Sequence, residues 1–202
     1  MSVFNLCVIA YPGAVDLDEF RPLERVPGVQ VVRAASRSEA EEAECIVLPG
    51  TVSTASDLAW LRAQGLDSGI ALHAQARRPV LGLGGGMQMI GEALIDTGDI
   101  AGNAPGLGLL PLVSVLDRAR TIVPARLQFG EVIGHWAPLT GLAVQAAEVR
   151  QGRTVQHAGM GAGRVVIPDG IAWQNDQGNV LGLAVRGLFE DAAVLQALFG
   201  PF

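Results

Sequence analysis

Short apolar runs alternate with amphipathic segments along the first half of the chain, and this alternation constrains the fold more than any other feature. Strands that alternate with helices in this way are typical of a parallel sheet covered by helices on both faces. The predicted strands are Asn5–Ala10, Val29–Arg33, Glu44–Leu48 and Pro79–Leu83. The predicted helices are Asp16–Leu23, Ser36–Ala43, Ser53–Gln64, Ser68–Ala76 and Met87–Leu94.

The second half has a different pattern, with several apolar runs and few helical segments between them. We predict strands at Leu107–Leu116, Val144–Val149, Gly163–Trp173 and Val180–Val185, and a final helix at Asp191–Leu198. The expected fold is therefore a three-layer α/β sandwich with a mostly parallel central sheet and an antiparallel extension in the C-terminal half. No repeat or linker divides the sequence, so residues 1–202 are predicted to form one domain.

The charge composition excludes several functions. All 14 basic residues are arginine, against 20 acidic residues, and the formal net charge is −6. Without lysine, a Schiff-base lysine and a phosphate-binding GK[ST] loop are impossible. The negative balance argues against nucleic acid or an anionic membrane as partner. No leader or membrane-length apolar run is visible, so a cytoplasmic protein is expected, with no metal and no cofactor. Cys7 and Cys45 are predicted to be buried hydrophobes.

A strand that runs through three glycines into a helix, Val80–Gly91, is the strongest candidate for a functional site. Open α/β sheets bind ligands at the carboxyl ends of their strands. The glycines lack the G-x-G-x-x-G spacing of a dinucleotide loop. A nucleophile elbow, which is a tight strand-to-helix turn, would have Gly84 at its tip and hence no side chain there. A turn that only permits close packing is the remaining alternative.

Six segments resemble one known family in the right order. They are Phe20–Glu24, Val47–Arg62, Pro79–Gly91, Gly106–Pro111, Glu148–Thr154 and Gly178–Phe189. Together they resemble the glutamine amidotransferase domain of the cobyric acid synthase and cobyrinic acid diamide synthase family, which is the class I (triad-type) branch. The resemblance covers nearly the whole chain. It implies a flavodoxin-like, class I amidotransferase fold, a role in cobalamin biosynthesis, and a synthetase-type partner that takes up ammonia.

The chain departs from the family motifs where catalysis should occur. The resemblance places the family's cysteine nucleophile at Gly84 and its catalytic histidine at Arg186. A second histidine, a tyrosine and a lysine of the family motifs are replaced by Arg150, Ala147 and Val52. Glycine offers no nucleophile, and arginine cannot accept a proton at neutral pH, so ordinary glutaminase activity is not expected. Three histidines lie outside these motifs and are not predicted to replace the base: His73, His135 and His157.

The binding pocket does not depend on the lost side chains. The resemblance places oxyanion-binding backbone at Gly50 and Gly85, and Gln88 near the bound amino acid. Arg150 and Arg186 would form a site for a small anion if both pointed inward. The alternative is that these arginines form salt bridges with acids or reach solvent.

Two functional hypotheses remain open. The first is a catalytically silent amidotransferase homologue that serves in ligand binding, regulation or assembly, with a synthetase-type subunit or as a homo-oligomer. The second is an enzyme with altered chemistry, in which Arg150 and Arg186 orient an anionic substrate and Glu148 or Asp191 acts as acid or base. Because the sequence starts at Met1 where the family's amidotransferase domain starts, we expect it to lack the ATP-dependent synthetase domain.

Overall fold

The structure is a computed structural model that describes residues 3–157, 159, 161 and 163–200. Its strands are β1 Phe4–Ile9, β2 Val29–Ala34, β3 Cys45–Leu48, β4 Val80–Leu83, β5 Ala93–Asp96, β6 Ala104–Pro105, β7 Leu112–Gln128, β8 Ala143–Gln156, β9 Arg164–Ile167, β10 Ala172–Gln174, β11 Val180–Leu183 and β12 Val185–Arg186. Its helices are α1 Arg37–Glu41, α2 Thr54–Ala63, α3 Leu66–Gln75, α4 Gly85–Met89 and α5 Ala192–Phe199, with 3₁₀ helices at Leu17–Arg25, Gly134–Leu139 and Leu188–Glu190. Among these described helices, none combines the length and apolar character needed to cross a membrane.

A seven-stranded sheet in the order β2-β1-β3-β4-β11-β10-β9 forms the centre of the molecule. Its first five strands are parallel, whereas β10 and β9 are antiparallel to their neighbours. This confirms the predicted α/β fold with an antiparallel extension. Strands β3, β4 and β11 are buried along their whole length because apolar layers cover both faces.

Two apolar clusters cover the two faces of this sheet. One contains residues of α2 and α3, such as Leu58 and Ile70, and the other contains aromatic residues of the 3₁₀ helices, such as Phe20 and Phe189. Cys7 and Cys45 lie in opposite clusters, and both are free and buried, as predicted. Burial raises the pKa of both thiols, that of Cys7 to about 12, so neither forms a thiolate at neutral pH.

A second, five-stranded sheet in the order β12-β8-β7-β5-β6 was not predicted. It is built on a long antiparallel hairpin, which pairs Leu112 with Gln156 at one end and Gln128 with Ala143 at the other. The predicted strands Leu107–Leu116 and Val144–Val149 covered only parts of it. From residue 117 onward most of β7 is exposed, so its sequence lacks the apolar alternation that marks a half-buried strand.

Further predicted elements differ from the structure in where they end. The helix predicted at Met87–Leu94 ends at Met89, and the chain continues into β5. Gly91 marks this change of direction, since a Cβ there would lie 2.7 Å from the carbonyl oxygen of Leu112. The strand predicted at Gly163–Trp173 is divided into β9 and β10 by a turn in which Asp169 has a φ of +60°.

The buried His73 should make the stability of the fold depend on pH. Its side chain is 1% exposed, and its Nε2 lies 3.1 Å from the carbonyl oxygen of Pro79. Burial, together with the charge of Arg78, lowers the pKa of His73 from 6.5 to about 4. As the pH falls, His73 therefore binds a proton near pH 6.5 in the unfolded chain but only near pH 4 in the folded chain. The contribution of His73 to the free energy of unfolding is intact above pH 6.5 and is lost as the pH falls toward 4.

We expect His73→Gln to reduce the loss of unfolding free energy between pH 7.5 and pH 5 by an amount on the order of 2 kcal/mol. Urea unfolding at both pH values measures this difference. The exposed His157 provides a matched control, because His157→Gln should leave the pH dependence unchanged. If the free energy of unfolding depended on pH equally in wild type and His73→Gln, the lowered pKa of His73 would be contradicted.

Candidate functional site

Strand β4 enters α4 through a tight turn at Gly84. The residue has a φ of +52° and a ψ of −115°, a region that side chains other than glycine rarely adopt. Its N–H donates to the carbonyl oxygen of Leu183 at 2.8 Å, and its own carbonyl oxygen accepts from the N–H of Met87 at 3.1 Å. These bonds hold a strand-to-helix turn with the conformation of a nucleophile elbow.

The elbow has room for a side chain at its tip. A Cβ added to Gly84 would lie 3.7 Å from Gly50 Cα and 3.9 Å from the carbonyl oxygen of Val185, which are ordinary contacts. A Cβ on Gly86, by contrast, would overlap the carbonyl oxygen of Leu48. Close packing therefore requires glycine at position 86, whereas position 84 requires glycine only for its backbone conformation.

The backbone of two glycines faces this tip. Gly50 follows β3 and Gly85 begins α4, and within the described residues neither N–H donates to a hydrogen-bond acceptor. The carbonyl oxygen of Gly50 accepts from the N–H of Val15 at 2.9 Å, which fixes the orientation of that loop. Unpaired N–H groups beside an elbow are the donors that an oxyanion requires.

A buried carboxylate holds the loop that contains Gly50. Asp57 is 2% exposed, and it accepts hydrogen bonds from the Thr51 hydroxyl and, at 3.0 Å, from the N–H of Gly13. Thr51 Oγ1 in turn accepts from the N–H of Ser53 at 2.9 Å. This network ties the loop to α2, so the shape of the turn around Gly50 does not depend on a ligand.

A cavity of about 540 Å³ opens over the elbow, between Gly84 and residues 149–156 of β8. Its volume lies in the range of small-molecule sites. Gln88 is in this cavity, where its Oε1 accepts from Thr54 Oγ1 at 3.2 Å and its Nε2 donates to the carbonyl oxygen of Gln151 at 3.4 Å. The structure thus brings together Gly84, Gly85 and Gln88. The other charged or aromatic side chains of the lining are Arg120, Arg150, Arg153, Asp169 and Trp173.

Arg150 and Arg186 do not converge on the elbow. Arg150 lines the cavity but is paired with Glu148. Arg186 lies in a different recess, with its Nη1 3.1 Å from Asp16 Oδ1. Two alternatives were predicted for these arginines, and the structure has the salt bridges. The predicted anion site between Arg150 and Arg186 is therefore wrong for this structure. The acids around Arg186 explain why its side chain points away from Gly84. An ion pair with Asp16 is more favourable than a guanidinium group without a counter-ion near Gly84.

Sequence reasoning missed a buried acid beside Arg186. Glu19 is 3% exposed; its Oε2 accepts from the N–H of Gly187 at 2.5 Å, and its Oε1 has no partner among the described residues. Burial above all, with the charges of Asp16 and Glu190, raises the pKa of Glu19 from 4.5 to about 7 against the opposing effects of the Gly187 N–H and Arg186. One sequence feature could have indicated that Glu19 is buried. It lies four residues before Leu23, on the apolar side of the 3₁₀ helix Leu17–Arg25.

The acids and histidines considered as alternative catalysts lie outside the cavity. Asp191 caps α5 by accepting from the N–H of Ala193 at 2.8 Å, and it also accepts from Gln145. Glu148 is engaged by Arg150. No described histidine lines the cavity, a statement that covers His73, His135 and His157.

The fold is that of the class I glutamine amidotransferases. A solved structure of PurLQS from Thermotoga maritima aligns with a TM-score of 0.72 and 18% sequence identity, over 98% of each chain. At this identity the likeness concerns the fold alone.

Sequence comparison then defines the family. The profile of the CobB/CobQ-like glutamine amidotransferase domain matches residues 5–194, so the chain belongs to this family. It is 57% identical over 199 residues to a cobyric acid synthase of Paracidovorax citrulli, and 56% identical over 200 residues to that of Acidovorax sp. JS42. Each alignment covers 97% of this chain, and the chain spans about 40% of the length of these relatives.

The two glycines at the elbow should respond differently to alanine. Gly84→Ala should fold and lose about 2 kcal/mol of unfolding free energy, because the strain is confined to its backbone conformation. Gly86→Ala should lose at least about 3 kcal/mol, because its methyl group meets backbone atoms that cannot move aside. Thermal and urea unfolding of both variants measure this contrast. Equal losses would show that the space at position 84 is not available.

Glu19→Gln should stabilise the protein at high pH. The folded pKa of about 7 lies above the ordinary value of 4.5, so the contribution of Glu19 is intact below pH 4.5 and is lost as the pH rises through 7. We expect a gain on the order of 2 kcal/mol at pH 8 that disappears near pH 4.5. Urea unfolding at both pH values checks this, with the exposed Glu24→Gln as control. A gain that is the same at both pH values would contradict it.

Proposed function

We propose that residues 1–202 form one amidotransferase-like domain that does not hydrolyse glutamine and keeps its cavity for ligand binding, regulation or partner assembly. The observation that carries the proposal is the elbow itself. Gly84 has the conformation and the space of a nucleophile position but no nucleophilic atom. Covalent catalysis at this turn therefore has no group with which to attack a carboxamide.

Neither the residue at the family's histidine position nor either cysteine replaces the missing nucleophile and base. Arg186 stands at the family's histidine position, and its guanidinium group is paired with Asp16. Cys7 and Cys45 are buried in the sheet, and their raised pKa values keep them as thiols. A second function, altered acid–base chemistry by Glu148 or Asp191, is less well supported because Glu148 is paired with Arg150 and Asp191 caps α5.

The retained parts support a binding role. Gly85, Gln88 and the anchored Thr51 line a cavity that is open at Gly84, and Gly50 lies beside that turn. We propose that this domain works with a synthetase-type partner, because the cobyric acid synthases it resembles contain more than this domain. On this proposal its place is in corrinoid amidation, in a regulatory or structural role.

Glutamate release from glutamine tests the proposal. The purified wild-type protein should release none above background. The double variant Gly84→Cys/Arg186→His should release more than either single variant, because the elbow then has a thiol and the neighbouring strand a base. A wild-type activity that elutes with the protein and falls in Gln88→Leu would contradict the proposal, since a contaminating glutaminase would not respond to that substitution.

A further inference from the structure

The outer half of β7 has an edge with which no described strand pairs. On one side β8 pairs with β7 as far as Gln128, whereas on the other side β5 pairs only with residues 113–116. Among the described residues, the main-chain groups of residues 120–127 therefore form hydrogen bonds with β8 alone. In an antiparallel ladder about half of these groups point away from the partner strand. Donors and acceptors along this edge are thus open to a further strand.

Apolar side chains lie on both faces of the same segment. Ile122 is 43% exposed and Val123 is 55% exposed, and neighbouring residues of a strand point to opposite faces. Together with Thr121 they form a β-branched run, which favours strand pairing. An exposed edge with such residues is a surface to which an extended peptide can add as a strand.

Pro124 restricts what can pair with this edge. Proline has no N–H, so it interrupts the row of donors and hinders long, unselective contacts between edges. A strand that crosses this position loses a hydrogen bond. Complementary side chains must therefore supply part of the affinity of any partner.

The charge of the segment favours an acidic partner over a second copy of this chain. Residues 119–128 contain Arg120 and Arg126 and no acid, although the chain has a net charge of −6. Neither arginine forms an ion pair within the part of the chain that the structure describes. Two copies paired antiparallel about Val123 would place Arg120 and Arg126 opposite each other, and opposed like charges destabilise a sheet. Acidic side chains at those positions would stabilise it.

We infer that residues 120–126 of β7 bind an extended segment of a partner polypeptide, which has two acidic side chains six residues apart and β-branched residues between them. The spacing is that of Arg120 and Arg126, which lie on one face of the strand. The inference rests on the proposed function, because it names the surface and the chemistry through which a partner would assemble with this domain. Of these seven residues only Arg120 also lines the cavity over the elbow.

Fluorescence anisotropy with a dye-labelled peptide of sequence ETVTVTE tests the inference. We expect it to bind at least about tenfold more tightly than KTVTVTK, with affinity that falls as salt rises. The variant Arg120→Glu/Arg126→Glu should lose at least about tenfold of this affinity. The matched control is Arg25→Glu/Arg33→Glu, which changes two exposed arginines outside the hairpin and the net charge equally, and should bind as wild type does.

Two further measurements distinguish strand addition from simple charge attraction. The peptide ETVPVTE keeps both acids but has a proline at its centre, so it should bind at least about tenfold more weakly. Hydrogen exchange of the main-chain amides in residues 120–126 should slow when ETVTVTE binds, because the added strand supplies acceptors. Circular dichroism of each variant establishes that it is folded.

Several results would overturn the inference. Equal affinity for ETVTVTE and either KTVTVTK or ETVPVTE would show that charge-matched strand pairing does not occur, and no binding of ETVTVTE would do the same. A loss caused by Arg120→Glu but not by Arg126→Glu would place the peptide in the cavity. Self-association that ETVTVTE disrupts, seen by sedimentation velocity, would make a second copy the occupant. Glutamate release from glutamine by the wild-type protein would instead contradict the proposed function and leave the peptide result as it is.

Discussion

The structure depends on the close approach of α4 to the carboxyl end of β3. Gly86 lies so near the carbonyl oxygen of Leu48 that no side chain fits between them. This contact places the Gly84 turn beside Gly50, and Asp57 holds the loop around Gly50 in turn. The elbow therefore lies against the anchored loop at Gly50, and this contact between backbone segments does not depend on a side chain at position 84.

The charged residues on the two sides of the elbow differ in their partners. On one side Arg186 is paired with Asp16 in a recess that also contains the buried Glu19, so its charge is compensated away from the cavity. On the other side the cavity lining contains Arg120, Arg150, Arg153 and Asp169, and Arg150 is paired with Glu148. The described lining is therefore polar, with three arginines and one acid.

Much of the fold could be predicted from the sequence, because buried parallel strands are short apolar runs with a simple signature. The first four predicted strands and the final helix match the structure to within about two residues, which is the usual uncertainty of such boundaries. The second sheet could not be predicted. Most of β7 beyond residue 116 is solvent-exposed, so its residues carry no apolar period, and the pairing with β8 that makes it a strand is a long-range contact.

The sequence by itself determined the family, the strand-to-helix turn and the absence of a nucleophilic side chain at Gly84, because these follow from residue identity and local spacing. Only the tertiary structure decided which arginines reach the cavity. Arg150 and Arg186 were both candidates, yet Arg186 is paired with the distant Asp16, while Arg150 lines the cavity on a hairpin that the sequence does not reveal. The physical reason is that an arginine takes its direction from acids and strands distant in sequence, which meet it only once the chain is folded.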